Sequence, residues 1–546
     1  LTHTGLFKRA QEASTQTQKA QIAEEVELLY IEAQMDYHTK NTKITSEKEY
    51  LEEKFNNYTT ASGAILKYDK EKDQYQYIDK KQNVYNLVID ESGNVTILDG
   101  NGLYATLNIN NNNEITLNTK IDYSIIGTGE KEITLKIGDI ILYNTKTTEK
   151  NALNTINIDD IKEKIKALDF GEQYSLILEI KIKDSITKKE IKVTNYTVSN
   201  EKDVKTLANI VNNGNNLQGK TIYQICDIDL HGSESNKWTP IGTKENSFYG
   251  TYNGGQNNIE NLYINYNEGI QPQGYFGQND GNISDVIIKS GSVKSNKCTG
   301  AVVGYNNGQV QRCINHVNVT LNSTLDGDSC GGVIGTAKNG SVSELVNYGE
   351  ISAITTGKAT RTGGVVGCVD NNTILNYCYN VGNITATTGN GLCCQTAGVA
   401  PLEDQKQEPI YNSYNLGKIT VNENGEKDDR WAHVGGISTD IKYMYNCFNA
   451  GKITFSSTYG KGTHVGGLYG TGWDNVSIFK NCYWLKGSYS KAGSTQFYAD
   501  PDKSEIIEVN SEAELKNKAL EILGTEHYKK DENNINNRWP IFKWQK

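Results

Sequence analysis

The sequence predicts a mainly β chain: a right-handed parallel β-helix preceded by a long N-terminal α-helix and an antiparallel β-sheet domain. Three observations carry this. A short phrase returns five times in the second half, as Asn315-His-Val-Asn-Val319, Asn347-Tyr-Gly-Glu-Ile351, Asn380-Val-Gly-Asn-Ile384, Asn415-Leu-Gly-Lys-Ile419 and Asn449-Ala-Gly-Lys-Ile453. Residues 6–40 carry a helical stripe without Pro or Gly, and the segment between helix and repeats alternates in strand fashion.

The N-terminal stripe consists of Leu6, Ala10, Ala13, Thr17, Ala20, Ala23, Val26, Tyr30, Ala33 and Tyr37, spaced three or four apart, with Lys8, Arg9, Glu12, Lys19 and Glu24 mostly off it. At about 1.5 Å per residue the helix would be roughly 50 Å long. Its later half is expected to pack on the following sheet through Val26, Leu29, Tyr30 and Ala33. In residues 60–199 the runs Tyr75-Gln-Tyr-Ile, Tyr85-Asn-Leu-Val-Ile, Asn94-Val-Thr-Ile-Leu, Glu114-Ile-Thr-Leu, Glu132-Ile-Thr-Leu-Lys-Ile and Ser175-Leu-Ile-Leu-Glu-Ile-Lys-Ile read as strands between Gly-Asn and Asp-Gly turns. Asp159 to Leu168 is the one helix expected there, with Ile161, Ile165 and Leu168 apolar and Gly171 at its end. The boundaries follow as 1–59, 60–199 and 200–546.

The repeats step by 32, 33, 35 and 34 residues. A period of this size marks a solenoid, because one unit cannot bury its apolar face alone and must stack on the next. Runs such as Gly331-Gly-Val-Ile-Gly335 and Gly363-Gly-Val-Val-Gly367 alternate with the phrase. In register, Ile would point inward, Asn side chains would ladder along a turn, and Gly would turn corners that other residues cannot. Right-handed winding follows from the chirality of parallel crossovers. Helix signals at Glu201 to Asn212 and at Ser511 to Leu523 read as caps over the two open ends, the second through Leu515, Ala519, Leu520 and Leu523.

These motifs resemble the GLUG repeat of surface proteins from Gram-positive bacteria. The likeness continues in Asp227-Ile-Asp-Leu230, Trp238-Thr-Pro-Ile-Gly242, Phe248-Tyr-Gly250, Gly274-Tyr-Phe-Gly277 and the closing Trp539-Pro-Ile-Phe-Lys-Trp544, so it spans residues 200–546. The opening Leu1-Thr-His-Thr-Gly-Leu-Phe-Lys-Arg-Ala10 with Lys19-Ala-Gln-Ile-Ala-Glu-Glu-Val-Glu-Leu-Leu is similar to the segment just after the membrane-embedded part of type IV prepilins in clostridia-like bacteria. That resemblance implies a membrane contact only through an N-terminal anchor missing from this sequence, other pilin subunits as partners of the helix, and a place on the cell surface in an extracellular filament. The carboxyl end, Phe542-Lys-Trp-Gln-Lys546, carries no sortase-type signal, so attachment is expected through the N-terminus.

Composition narrows the function classes. A net charge of −10 argues against a nucleic-acid partner, which would need a basic patch. All ten cysteines lie after residue 225, and aligning the phrases puts Cys313, Leu345, Cys378, Ser413, Cys447 and Cys482 in one column, a small inward-facing slot. Cysteine there acts as a compact hydrophobe, or pairs as Cys447 with Cys482, and Cys298 with Cys330, in a disulfide-permitting setting. No HExxH, GxSxG, P-loop or GxGxxG occurs, and no cofactor is expected. His433 and His464, each two residues before a Gly-Gly pair, would stack on neighbouring coils and are weak metal candidates, with Asp428 and Asp429 near in sequence. Asp370, Glu403, Asp404 and Asp440 are the carboxylates that would serve a polysaccharide-cleaving β-helix. The reading is a non-enzymatic pilin-like subunit displaying an adhesin, with a host, matrix or glycan ligand held by Trp431, Tyr459 and Trp473 in or beside the expanded loops 389–396, 402–409, 423–431 and 456–464. A filament subunit without ligand binding is the close variant.

Overall fold

A computed structural model describes residues 3–39, 46–56, 58–69, 74–89, 94–98, 103–267, 269, 271–324, 327–356, 359–370, 372–389, 393–402, 409–424, 431–458, 463–471, 477–494 and 503–546. The side chains of residues 3–14, 47, 48, 393 and 431 lie outside the description. The chain divides into two compact units, Leu1–Ala167 with Gln173–Thr194, and Leu168–Glu172 with Asn195–Lys546.

In the first unit one helix runs from His3 to Thr39. Ile22, Val26, Tyr30 and Ala33, spaced four, four and three, are buried against Leu66, Tyr75, Tyr77 and Leu87 of a five-stranded antiparallel meander over residues 58–97. Leu29 packs at the edge of the same cluster. A second helix, Glu47–Lys54, escaped the sequence reading; its Ser46 cap accepts from Glu49 N, and Leu51 and the following Phe55 enter the same core. Beyond it lie a five-stranded and a three-stranded antiparallel sheet. Strand pairs such as Ile133–Ile180 and Leu135–Leu178 bury their alternate residues. The helix expected over 159–168 shrinks to a 3-10 turn, Ile158–Ile161, and one α-turn, Lys162–Ile165. No described helix is long and apolar enough to cross a membrane.

The second unit is a parallel β-solenoid of about seven turns, one sheet of which has seven strands in strict chain order. Ile264, Val293, Val319, Ile351, Ile384, Ile419 and Ile453 stand in register down that sheet. All seven are buried. Beside them the asparagines form a continuous ladder. Nδ2 of Asn315, Asn347, Asn380 and Asn415 donates to Oδ1 of the asparagine one coil on, at 2.8, 2.7, 2.8 and 2.8 Å. The second Nδ2 proton goes to the carbonyl two residues later, at Val317, Gly349, Gly382 and Gly417, and in three of the four coils Oδ1 also accepts the main-chain N–H of that residue. A buried amide whose donors and acceptor are all engaged removes the desolvation cost that would otherwise oppose it.

The glycines of the phrase sit in the bends that lead from the large sheet into the seven-stranded sheet, but without left-handed backbone. Gly349, Gly382, Gly417 and Gly451 are absent from the residues with positive φ. A Cβ on them would come within 1.8–2.0 Å of a carbonyl oxygen of the coil before, so it is the approach of stacked backbones that excludes a side chain. Left-handed backbone falls instead on Arg312, Glu344, Tyr377, Asn412, Asn446 and Asn481, with φ between 49° and 56°. This column, immediately before the Cys column, bends the large sheet once per coil. Asn fills three of the six positions, in keeping with its tolerance of that region.

The ends are closed differently from expectation. Helix Glu201–Asn212 does cover the interior, through Val204, Leu207, Ala208 and Val211. Helix Glu512–Leu523 does not: Leu515, Ala519, Ile522 and Leu523 belong to a separate cluster on the outer face of the large sheet, with Ile314, Val346, Tyr379, Tyr414 and Phe448, and Leu520 is only half-buried. The tail that follows lays Tyr528, Trp539 and Phe542 along this external aromatic column. The last coil is instead shut by residues 488–492, whose carbonyls at Ser488, Lys491 and Ala492 accept the N–H groups of Ile453, Gly467, Leu468 and Tyr469.

Truncating the buried column at Ile384→Ala should cost about 2–5 kcal/mol, and Gly382→Ala, which forces a coil away from its neighbour, about as much or more. Chemical denaturation of both variants followed by circular dichroism checks this; a near-wild-type midpoint for either contradicts the packing described.

Candidate functional site

The polar cluster of the solenoid lies on the strands that enter each Gly-Gly turn. Parallel register puts Ser329, Arg361, Gln395, His433 and His464 in one row across five coils, each two residues before the glycine pair or its Ala-Gly equivalent. Such a row arises because inward neighbours (Cys330, Cys394, Ala432, Val434) take the core face and strand alternation sends the intervening side chains the other way. The Gly-Gly turn then folds the next strand alongside, bringing Thr336 within 2.6 Å of Ser329 and Asp440 against His433.

His433 and His464 are register partners on neighbouring coils, as their spacing predicts, but their rings meet edge to face rather than stacked, with centroids 5.1 Å apart and planes at 61°. His433 Nδ1 lies 2.7 and 2.9 Å from the two Asp440 oxygens. Asp440 Oδ2 also accepts from Gln395 Nε2 at 2.6 Å, and Gln395 Oε1 accepts from Arg361 Nε at 3.1 Å. At the other end His464 Nδ1 shares a hydrogen bond of 2.7 Å with Ser494 Oγ. The result is a polar chain joining Arg361, Gln395, Asp440 and His433, with the His464 ring edge to face against its end. Burial lowers the pKa of His464, and the neighbouring His433 and Lys491 lower it further while Asp440 opposes them. The net effect favours the neutral imidazole.

The two Nδ1 atoms face different partners, and no group of three His, Cys, Asp or Glu placed to hold a metal ion occurs among the described residues. Of the carboxylates singled out from sequence, only Asp440 joins this cluster. Asp370 pairs with Lys338 at 3.0 Å, two coils away and at a different point of the coil, while Glu403 and Asp404 lie outside the described residues. So do Asp428 and Asp429.

The proposed aromatic ligand surface falls largely outside the description. Trp431 opens the strand Trp431–Gly435, but its side chain is not described, and Tyr459 and Trp473 lie in 459–462 and 472–476. Thr458 and Thr463 bound the first of these segments and Thr471 and Ser477 the second, so the two segments interrupt the coil at different points.

The cysteine column is legible in full. Cys313, Leu345, Cys378, Ser413, Cys447 and Cys482 are all fully buried. Cys447 and Cys482 sit on adjacent coils as free thiols, as do Cys298 and Cys330 elsewhere. Each thiol of the column faces the carbonyl two residues earlier, Cys313 on Gln311, Cys378 on Asn376, Cys447 on Tyr445 and Cys482 on Lys480, at 3.2–3.4 Å. Ser413 Oγ does the same on Tyr411 at 2.7 Å. The left-handed residue between them brings that carbonyl back over the side chain, which explains a preference for a small donor. Burial pushes Cys313, Cys378 and Cys482 up to about 12 and Cys447 well above its ordinary value.

Sequence reasoning found the histidine pair from its spacing to Gly-Gly but missed Arg361 and Gln395, which occupy the same repeat position with other chemistry. No family model matches the chain, and no curated protein does.

Two outcomes are expected. Native protein treated with a thiol reagent at pH 8 should leave Cys313, Cys378, Cys447 and Cys482 unmodified by mass spectrometry and release all four in denaturant, since the thiolate is the reacting form. Failure to label Cys447 and Cys482 after denaturation without reductant would instead indicate that they are paired. For His464, a lowered folded pKa means the unfolded chain binds more protons, so its stability contribution is complete above the unfolded value of about 6.5 and is lost as pH falls through the folded value. His464→Asn should flatten the fall in melting temperature below pH 6.5, and an unchanged slope would contradict the buried neutral imidazole.

Proposed function

We propose that the chain is a type IV pilin-like surface subunit of a Gram-positive bacterium, whose GLUG-like, right-handed solenoid is displayed in an extracellular filament as an adhesin for a host, matrix or glycan ligand. The observation that carries this reading is the two-sided N-terminal helix. One face is spent on the meander, while Leu28, Ile31 and Met35, spaced three and four apart, are 59, 51 and 66 % exposed. Single exposed apolar residues need no explanation, but a stripe at helical spacing on a 37-residue helix suits packing against other subunits. The solenoid supports the second half of the proposal: a stacked core of about seven coils is a rigid support for an extended contact surface.

Ile31→Glu combined with Met35→Glu should abolish filament incorporation in cells while leaving the melting temperature of the purified chain within about 1 °C, because both side chains are exposed. Filaments that assemble normally with both glutamates would remove the subunit role. Adhesion of wild-type filaments to a matrix-protein and glycan panel tests the display role, and filaments that assemble but bind nothing leave the purely structural subunit.

A further inference from the structure

We infer that the groove between the outer face of the large sheet and the C-terminal tail binds one carboxylate-bearing pyranose ring. The groove has a volume of about 230 Å³ and is lined by Ile287, Lys289, Ile314, His316, Tyr348 and Trp544, with Gln256 at its rim. That is below the roughly 300–1,000 Å³ of pockets that enclose drug-sized ligands, and suits a single ring.

The floor is apolar. Ile287 and Ile314 are register partners on successive coils, and they continue the external column that the tail covers further along at Tyr379, Tyr414 and Phe448. One side is aromatic: the His316 and Tyr348 rings stack on each other at 4.9 Å with planes 8° apart. Tyr348 is fixed in turn, its hydroxyl 2.9 Å from Tyr379 Oη and 3.3 Å from Gln545 Nε2. Trp544, stacked on Phe542 with planes 10° apart, forms the opposite wall. Aromatic sides over an aliphatic floor suit the apolar C–H groups of a sugar ring.

The polar groups are the stronger argument, because they converge without partners. Trp544 Nε1 is buried and has no hydrogen bond. The imidazole of His316 and the side-chain amide of Gln256, both half-buried, and the exposed ammonium of Lys289 have no protein hydrogen-bond or ion-pair partner among the described residues and are open to a ligand from the groove. A buried donor left open costs free energy that a ligand hydroxyl or carboxylate would recover. Burial first, then the Lys289 charge, brings His316 down to about 4, so above that pH its ring offers one donor and one acceptor, as a hydroxyl requires. Lys289 and Lys546 both line the groove, and their ammonium groups beside its neutral side chains favour a carboxylate over a neutral sugar. The site uses only the solenoid and its tail, so it stands or falls independently of the filament reading.

The test is titration of the full chain with methyl β-D-glucuronide, followed by saturation-transfer NMR at pH 7, with methyl β-D-glucoside as the uncharged control. Transfer to the ring protons of the glucuronide, with the glucoside bound at least about tenfold more weakly, is the expected result. Lys289→Gln should weaken glucuronide binding by about tenfold and bring the two sugars close together in affinity. Trp544→Phe keeps the stack on Phe542 but removes the indole donor, and should weaken both sugars with the melting temperature unchanged. No transfer from either sugar, equal binding of both to the wild type, or glucuronide binding indifferent to Lys289→Gln would each overturn the assignment.

Discussion

Stacked backbones approach so closely at the asparagine ladder that two families of glycine become obligatory there. The Asn amides donate from coil to coil along the axis, which holds neighbouring coils at a strand spacing of about 4.8 Å. At that spacing the residue two after Asn347, Asn380, Asn415 or Asn449 lies against the carbonyl of the coil before, where only Gly fits, whereas the first coil of the ladder carries Val317 at that place. The second glycine of each Gly-Gly pair is fixed by the same ladder from the other side. A Cβ on Gly332, Gly364, Gly398 or Gly436 would come within 2.3–2.5 Å of Cγ of Asn347, Asn380, Asn415 or Asn449. The two most visible motifs of the sequence are therefore halves of one contact. At the last coil Trp484 takes the Asn place, and Asn449 Nδ2 turns to Gly467 O instead, which ends the ladder with its donors satisfied.

That coupling explains which parts of the architecture could be read from the chain. Asn, Gly and Ile recur because each position admits one chemistry, so register, parallel stacking and the buried Ile column were all visible in the spacing. The bend column was not. Arg312, Glu344, Tyr377 and Asn412 share a backbone conformation but no side-chain property, and a positive φ on Glu or Tyr leaves no trace in sequence. Its consequence was nonetheless visible one residue later, where Cys, Ser and Leu alternate. The column looked like a volume constraint and is also a hydrogen-bonding one.

The helices show the same limit from the other side. Apolar periodicity located Glu201–Asn212 and Glu512–Leu523 and most of their buried residues, because periodicity reports that a face is covered. It does not report what covers it. The solenoid presents two apolar surfaces, the interior and the external column through Tyr379, Tyr414 and Phe448, and only packing tells that the second helix belongs to the latter. Tyr379 and Tyr414 read as ordinary coil residues in sequence; they are a stacked pair 4.6 Å apart, with Phe448 4.8 Å further on.

The distribution of chemistry over the coil follows from this economy. Inside, every position is fixed by stacking, and even the cysteines are held as protonated donors to the main chain. Variation is tolerated where side chains leave the core: in the row from Ser329 to His464 and along the outer column where the tail lies. Each of these sites is assembled from one residue per coil, so no local sequence window contains it. Ser329, Arg361, Gln395, His433 and His464 span more than a hundred residues yet lie on adjacent strands. The unpaired groups of the tail groove are drawn from still more distant positions, Lys289 and His316 from two coils and Trp544 from the tail. In a solenoid of this kind recognition is written across the repeat rather than along it, and the tail, by covering the column up to Ile314, determines where on the outer face that recognition is open to solvent.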